Sequence, residues 1–366
     1  MAEKNSSSRL NWLRVSSGLL LTVLLSLLAW WITRKVYALT LPLGIPGKVL
    51  EYPIWAALLG ILGNLLLRPF KGHEFIRPGI RMEFFLKTGL VLLGTSINLK
   101  LLATAAGGAV LQAPIMIASV FFFTYWLAGV FGIDDKLRAV MSTALSVCGV
   151  SAAIAAAGSV KAKKEQVTYV VTLVILVALP LMVLAPLAAR AMHLTDAVAG
   201  AWFGGNIDTT AAVVGAGTIF SDAAQKMASI VKNTQNALIG VVAFLLALYF
   251  AVKKEGSERP SARMIWDRFP KFVLGFIVAS ILYTLGQVYG GPLALIDGGK
   301  GTVLEALKNW AFTLAFVSMG LEFAFAELKS MGWKPVAVFL IATLFNTLLA
   351  LGVSWVIFTY LLPITF

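Results

Sequence analysis

Three short stretches place polar and ionisable residues inside otherwise apolar sequence. The first, STALSVCGVSAAIAAAG (142–158), carries Ser146, Cys148, Gly149 and Ser151 among small residues. A glycine that opens a helix leaves backbone N–H groups free at the start of the next half-helix, and such groups bind anions. The bland alternative is close helix packing through small side chains. The second, GGNIDTTAAVVGAG (204–217), carries Asn206, Asp208, Thr209 and Thr210. An aspartate in the middle of a membrane segment costs about 2.5–3.5 kcal/mol on insertion scales and commonly marks an ion path. Asp208 is also placed to cap the half-helix that follows, or to ligate Na⁺ together with exposed carbonyls. The third, SIVKNTQNALIG (229–240), sets Ser229, Lys232, Asn233 and Asn236 at i, i+3, i+4 and i+7, one stripe of a helix, with Gln235 beside it. Lys232 either supplies positive charge to an anion site, pairs with Asp208, or snorkels to the headgroups.

The elements that carry these stretches must span a bilayer. Of 366 residues, 59% are hydrophobic and only 13% are charged, against about 25% charged in soluble domains; the mean hydropathy is +0.87. Apolar runs of roughly spanning length fall at 16–33, 52–68, 82–98, 109–131, 166–189, 236–252, 269–290, 303–321 and 335–361. Segments 136–160 and 197–220 are apolar but richer in small and polar residues. The expected fold is an all-α polytopic membrane bundle of about 9–11 spans, one membrane domain over 1–366, with two interrupted or re-entrant segments.

The net charge of +13 argues for lipid rather than nucleic acid, because the basic residues sit in short loops between apolar runs, as the positive-inside rule requires. Residues 68–81 hold Arg68, Lys71, Arg77 and Arg81, and 253–271 hold Lys253, Lys254, Arg259, Arg263, Arg268 and Lys271. Both loops are expected in the cytoplasm, and 98–108 and 290–302 outside. Arg34, Lys35 and Lys48 then fall outside, against the rule. KAKKE (161–165) stays cytoplasmic if 136–160 dips in and returns, with 197–220 dipping in from the other face. It faces outward if both segments cross as broken helices. The N-terminal run is read as a retained helix rather than a cleaved signal.

Two internal shifts support inverted repeats. A shift of 60 lays AVMSTALSVCGVSAAIAAAG (139–158) over AGAWFGGNIDTTAAVVGAGT (199–218), so that Ser146–Ser151 falls on Asn206–Ala211. A shift of 224 lays 92–127 over 316–351 and pairs Gly108 with Gly332, Ala118 with Ala342 and Phe121 with Phe345.

Enzymatic chemistry is not expected. Cys148 is the lone cysteine, and His73 and His193 lie far apart, so neither a disulfide, a metal cluster nor a nucleophile–histidine pair is indicated. DGGKGT (297–302) lacks the order of a phosphate loop, and Thr302 with Glu305 reads as a capping box. Glu322, Glu327 and Lys329 near a span end read as interfacial charges. No cofactor is implied, and no motif argues for the homodimer that such proteins sometimes form.

On RPGIRMEFFLKTGLVLLG (77–94), LSVCGVSAAIAA (145–156), AGAWFGGNIDTTAAVVGAG (199–217) and ASIVKNTQNALIG (228–240), in that order, the chain resembles the UPF0324-type bacterial membrane proteins named as sulfate exporters. The resemblance runs from the second span to the C-terminus. It implies a sodium/proton-antiporter-like fold in the bacterial inner membrane and a secondary transporter of sulfate or an organic sulfonate or carboxylate, coupled to Na⁺ or H⁺, with Asp208, Thr209 and Lys232 at matching positions. Two positions depart from the family pattern. Ile207 stands where the family has histidine, removing a group that titrates near neutrality, and an arginine usual near Gln235 is missing, removing a bidentate oxyanion partner. A channel with a fixed pore and a membrane scaffold are the competing readings.

Overall fold

A computed structural model describes residues 2–37, 51–70, 72–253, 263–322 and 332–364. Lys48, Lys71, Lys254, Arg259, Glu327 and Lys329, on which part of the loop reading rests, lie outside them. The described residues are helical, without a strand. In chain order the helices are α1 (Ala2–Tyr37), α2 (Tyr52–Leu67), α3 (Gly72–Ile76), α4 (Met82–Gly94), α5 (Leu99–Val130), α6 (Asp135–Ser146), α7 (Val150–Val160) and α8 (Lys164–Ala191). They continue as α9 (Asp196–Asn206), α10 (Thr210–Phe220), α11 (Asp222–Ala237), α12 (Ile239–Lys253), α13 (Arg263–Arg268), α14 (Phe272–Tyr289), α15 (Val303–Leu321) and α16 (Trp333–Trp355). Each of the nine apolar runs becomes helix. Six helical stretches are long and apolar enough to cross a membrane by length and composition: Trp12–Tyr37, Leu99–Val130, Lys164–Ala191, Asp222–Phe250, Phe272–Tyr289 and Trp333–Leu361. The protein is therefore a multi-pass membrane bundle. Helices are the form such spans must take, because lipid offers no partner for an open backbone.

One expectation needs correcting. Residues 98–108, read as an outward loop, are helical from Leu99 onward. From Leu99 to Ala106 leucine, lysine and alanine, all good helix formers, are interrupted only by Thr104, so the first turns of α5 extend the span rather than precede it. The capping box forms only in part: Thr302 Oγ1 caps the helix by accepting from the Glu305 amide (3.2 Å), but Glu305 Oε2 accepts from the Gly301 amide (2.6 Å), one residue before the cap.

The chain divides into two compact units, each discontinuous in sequence: Met1–Asn98 with Gly275–Phe323, and Leu99–Leu274 with Ala324–Phe366. In the first, α2 and α15 touch backbone to backbone. A Cβ on Gly60 would lie 2.3 Å from the Val317 carbonyl oxygen, and one on Gly320 would lie 2.3 Å from that of Ala57. Close approach through glycine is how helices associate where lipid removes the hydrophobic drive.

The second unit holds all three polar stretches. Lys136 Nζ, at the start of α6, donates to the Lys161 carbonyl just past the end of α7 (2.8 Å), and Gln166 Nε2 donates to Asp134 Oδ2 (3.0 Å). A helix continuous from 136 to 161 would separate those ends by about 37 Å. Segment 136–160 is thus a re-entrant hairpin, and Lys161, Lys163 and Lys164 return to the side from which Asp134 and Lys136 enter. The same test holds for α9 and α10. Ser221 Oγ, past the end of α10, donates to Asp196 Oδ1 at the start of α9, and Arg190 Nη2 donates to the Ile219 (2.6 Å) and Phe220 (3.1 Å) carbonyls. Because α8 runs from the mouth of the first hairpin to the mouth of the second, the two hairpins enter from opposite faces.

The helix bounds repeat the shift of 60: Ser146 and Asn206 end the entering half-helices, Val150 and Thr210 begin the returning ones, and Val160 and Phe220 end them. The repeat also takes in the long helices α8 and α11–α12 that follow each hairpin.

Candidate functional site

Each hairpin breaks for a local reason. At the first tip Gly149 adopts φ 66, ψ −108, a conformation that disfavours any side chain. A Cβ there would also lie 2.6 Å from Val174 Cγ1 and 3.4 Å from the Asp208 carbonyl oxygen and Thr209 Cγ2. The two tips therefore meet, at the level of the middle of α8. The second tip turns without positive φ. Ile207 and Thr209 are extended, and Thr209 Oγ1 caps α10 by accepting from the Ala212 amide (3.2 Å). Thr209, not Asp208, is the cap, so both carboxylate oxygens of Asp208 stay available.

The entering half-helices end on carbonyls that need donors. Lys232 Nζ donates to the Val147 carbonyl (2.6 Å) and to Gln235 Oε1 (3.0 Å), and Gln235 Nε2 donates to the Ser146 carbonyl (2.8 Å). At the equivalent place in the second hairpin Asn346 Nδ2 donates to the Asn206 carbonyl (2.8 Å), and Thr347 Oγ1 donates to Asn206 Oδ1 (2.9 Å). Asn236 Nδ2 donates to Thr210 Oγ1 (3.1 Å), tying α11 to the second tip as well. A cation at one helix C-terminus and amides at both are what the helix dipole favours.

Asp208 and Lys232 are each only 1% exposed. They interact through space, but the lysine protons go to Val147 and Gln235. Both oxygens of Asp208 lack a hydrogen-bond partner, as do Asn206 Nδ2, both polar atoms of the Asn233 side chain, Asn236 Oδ1, Asn346 Oδ1 and Gln112 Oε1. Buried polar atoms are nearly always paired. The unpaired atoms of Asp208, Asn206 and Asn236 lie where the two tips meet. Their chemistry is divided. The first tip offers the Lys232 ammonium and the N-terminus of α7, which no side chain caps; the second offers mostly oxygen.

Of the residues singled out in the sequence, Ser146, Gly149, Asn206, Asp208, Thr209, Thr210, Lys232 and Asn236 come together at the tips and are buried, and Asn233 is buried on the same α11 stripe. The stripe on α11 faces inward along its whole length, and Lys232 does not snorkel. Cys148 is buried beside Lys232, with which it interacts through space, and it packs with Ile117, Val147, Ala152 and Ile239. Ser151 is exposed, sharing an open face of α7 with Ile154 and Gly158, and stands apart from the buried group. Gln112, Asn346 and Thr347 were missed. Gln112 Nε2 bridges the Ala201 carbonyl (3.0 Å) and Ser354 Oγ (3.1 Å). An amide in the middle of a long apolar helix was the available signal for both Gln112 and Asn346.

A family model described as Conserved hypothetical protein 698 matches residues 17–340. Among curated proteins, the chain is 38% identical over 345 residues to a UPF0324 membrane protein of Rhodopirellula baltica, an alignment covering 92% of this chain and 61% of that protein. It is 36% identical over 322 residues to a UPF0324 membrane protein of Nitratidesulfovibrio vulgaris, covering 84% of this chain and 55% of that one. It is 24% identical over 335 residues to a UPF0324 membrane protein of Bacillus cereus, covering 90% and 88%. The chain thus spans little more than half the length of the first two relatives. No solved structure matches.

Proposed function

We propose that this chain, which belongs to the membrane-protein family described as Conserved hypothetical protein 698, is a secondary transporter of a small anion that works by alternating access in the bacterial inner membrane. The observation that carries the reading is the tip-to-tip meeting of two oppositely inserted hairpins around Lys232 and Asp208. Half-helix ends at the bilayer midplane are the usual substrate and ion sites of carriers built from inverted repeats. The anion, sulfate or an organic sulfonate or carboxylate, sits against Lys232 and the uncapped N-terminus of α7, with the Asn206 and Asn233 amides as further donors.

Charge balance argues for coupling. Lys232 and Asp208 together are neutral, so a bound anion leaves net negative charge in a medium where that is costly. A cation held by the carboxylate and the orphan oxygens of Asn236 and Asn346, or a proton on Asp208, cancels it. Na⁺ takes such oxygen ligands.

Counterflow into proteoliposomes loaded with sulfate, alkylsulfonates or carboxylates tests the reading, under imposed Na⁺ and pH gradients. Saturable flux is expected, abolished in Lys232→Ala and insensitive to either gradient in Asp208→Asn. Flux that survives both substitutions unchanged removes the tips from the account. Unitary currents in a planar bilayer would replace the carrier with a channel.

A further inference from the structure

Away from the tips, the second unit carries a groove of about 540 Å³ between α5 and α12. Its walls are apolar from Pro114 and Leu238 at one end to Tyr125 and Phe250 at the other. Depth can be assigned at both ends. Ile117 and Leu238 pack on the cluster that holds Val147 and Cys148, so the inner end lies level with the hairpin tips. At the outer end Arg138, from the first turn of α6, donates through Nε (3.2 Å) and Nη2 (3.0 Å) to the Tyr125 carbonyl, so that end lies at the mouth of the first hairpin. The eleven steps along α5 from Pro114 to Tyr125 rise about 16 Å, close to half of a hydrocarbon core about 30 Å thick. The groove therefore runs the depth of one leaflet.

A cation closes that end. The Arg138 guanidinium lies 4.1 Å from the centre of the Tyr125 ring. Gly129 makes room for it, since a Cβ there would be 2.6 Å from Nη2. Arg138 also donates from Nη1 to Asp135 Oδ1 (2.9 Å). A guanidinium has five N–H groups, so these three bonds leave two for an anion. Lys136, Lys161, Lys163 and Lys164 lie at the same mouth and outnumber Asp134, Asp135 and Glu165. An apolar channel one leaflet deep, ended by a guanidinium in a basic rim, matches an amphiphile with an acyl chain and a phosphate headgroup. Basic pockets between membrane helices bind anionic headgroups for the same reason.

We infer that this groove is a binding site for one acyl chain of an anionic phospholipid, with its phosphate at Arg138. The full chain, purified in a mild detergent, is titrated with phosphatidylglycerol and with phosphatidylcholine of the same acyl chains, and bound lipid is counted by native mass spectrometry. One phosphatidylglycerol per chain is expected, bound at least tenfold more tightly than phosphatidylcholine. Ala118→Trp, which fills the groove, reduces retention at least tenfold. Leu245→Asn does the same without disturbing packing, because Leu245 is 57% exposed. Arg138→Gln keeps binding at the phosphatidylcholine level and loses the preference. Equal affinity for the two lipids in the native chain, or unchanged retention in both groove variants, overturns the assignment. So does a groove variant that turns dimers into monomers while lipid retention stays constant, since a second copy then covers the groove.

Discussion

The two hairpins share their length, their register and a meeting point, yet they are held in different ways. The second is buried without interruption from Ala197 to Gly217. Gly200 and Gly204 bring α9 against the backbone of α11, where a Cβ on Gly200 would lie 2.6 Å from the Ala224 carbonyl oxygen. Asn346, Thr347 and Gln112 fasten it to α16 and α5, and the indole of Trp202 donates to the Thr347 carbonyl (3.0 Å). The first hairpin opens one face of α7 outward, has no side-chain cap at its returning helix, and is gripped at its tip by Lys232 and Gln235 of α11. Half-helices in matching register thus end in unlike tips. One tip presents mostly oxygen atoms; the other lies against a positive charge, and its hold passes through a single ammonium and one amide.

Lys232→Met strikes this contrast hardest. It removes the donor to Val147 and leaves the Asp208 charge without its cation, a loss of about 3–5 kcal/mol for a buried charge stripped of its partner. Thermal unfolding in detergent should show a large drop. Adding Asp208→Asn should recover part of it without restoring flux. If the single variant is as stable as the native chain, the first tip is not held by the lysine.

Gly149→Ala comes next. The positive φ costs about 1–3 kcal/mol for a side chain, and the methyl group would press on Val174, so the tips should part. A reduced midpoint together with faster cysteine labelling at Cys148 is expected. An unaltered labelling rate would mean that the contact between tips is loose.

Asn346→Ala leaves the Asn206 carbonyl without its donor, which costs about 1–3 kcal/mol. If the second hairpin is the rigid one, hydrogen exchange should rise in 203–210 and stay unchanged in 143–151. Exchange rising equally in both would erase the distinction.

The smallest effect lies at the first mouth. Burial pushes the Asp134 carboxyl upward, but the hydrogen bonds from Gln166 and from the Leu137 and Lys136 amides, with the charge of Lys136, outweigh it and hold the group below its ordinary 3.8. A lowered folded-state pKa stabilises above the ordinary value and is lost as pH falls through the lowered one. The stability difference between native chain and Asp134→Asn should therefore be constant above about pH 5 and shrink below 3.8. A gap that persists undiminished at pH 3 would assign the capping to another group.

The contrast between the hairpins was only partly legible in the sequence. Composition and run length gave the bundle, because lipid exposure leaves an unmistakable hydrophobic excess. The shift of 60 found the register of the breaks, since small residues and a polar centre recur where backbone must pass close to backbone. The α11 stripe was visible because 3.6-residue periodicity aligns Ser229, Lys232, Asn233 and Asn236. Ser151 misled because its neighbours are equally small; only the helical phase of α7, with Ala152, Ala153 and Ala156 inward, turns it out. Asp208 could not be told from a cap because Thr209, one residue later, is as good a cap. Gln112 and Asn346 stand out as amides in long apolar helices, but a lone amide does not announce which distant carbonyl it will meet.

The Asn206 carbonyl is answered by a residue 140 positions further along the chain. On the ribosome, the second hairpin is therefore made long before its fastening exists. A nascent chain stopped short of α16 holds an unanswered carbonyl at membrane depth, which lipid cannot satisfy. Fastening of the second tip is consequently a late event in biogenesis, and truncated products should be recognised as unfinished by membrane quality control.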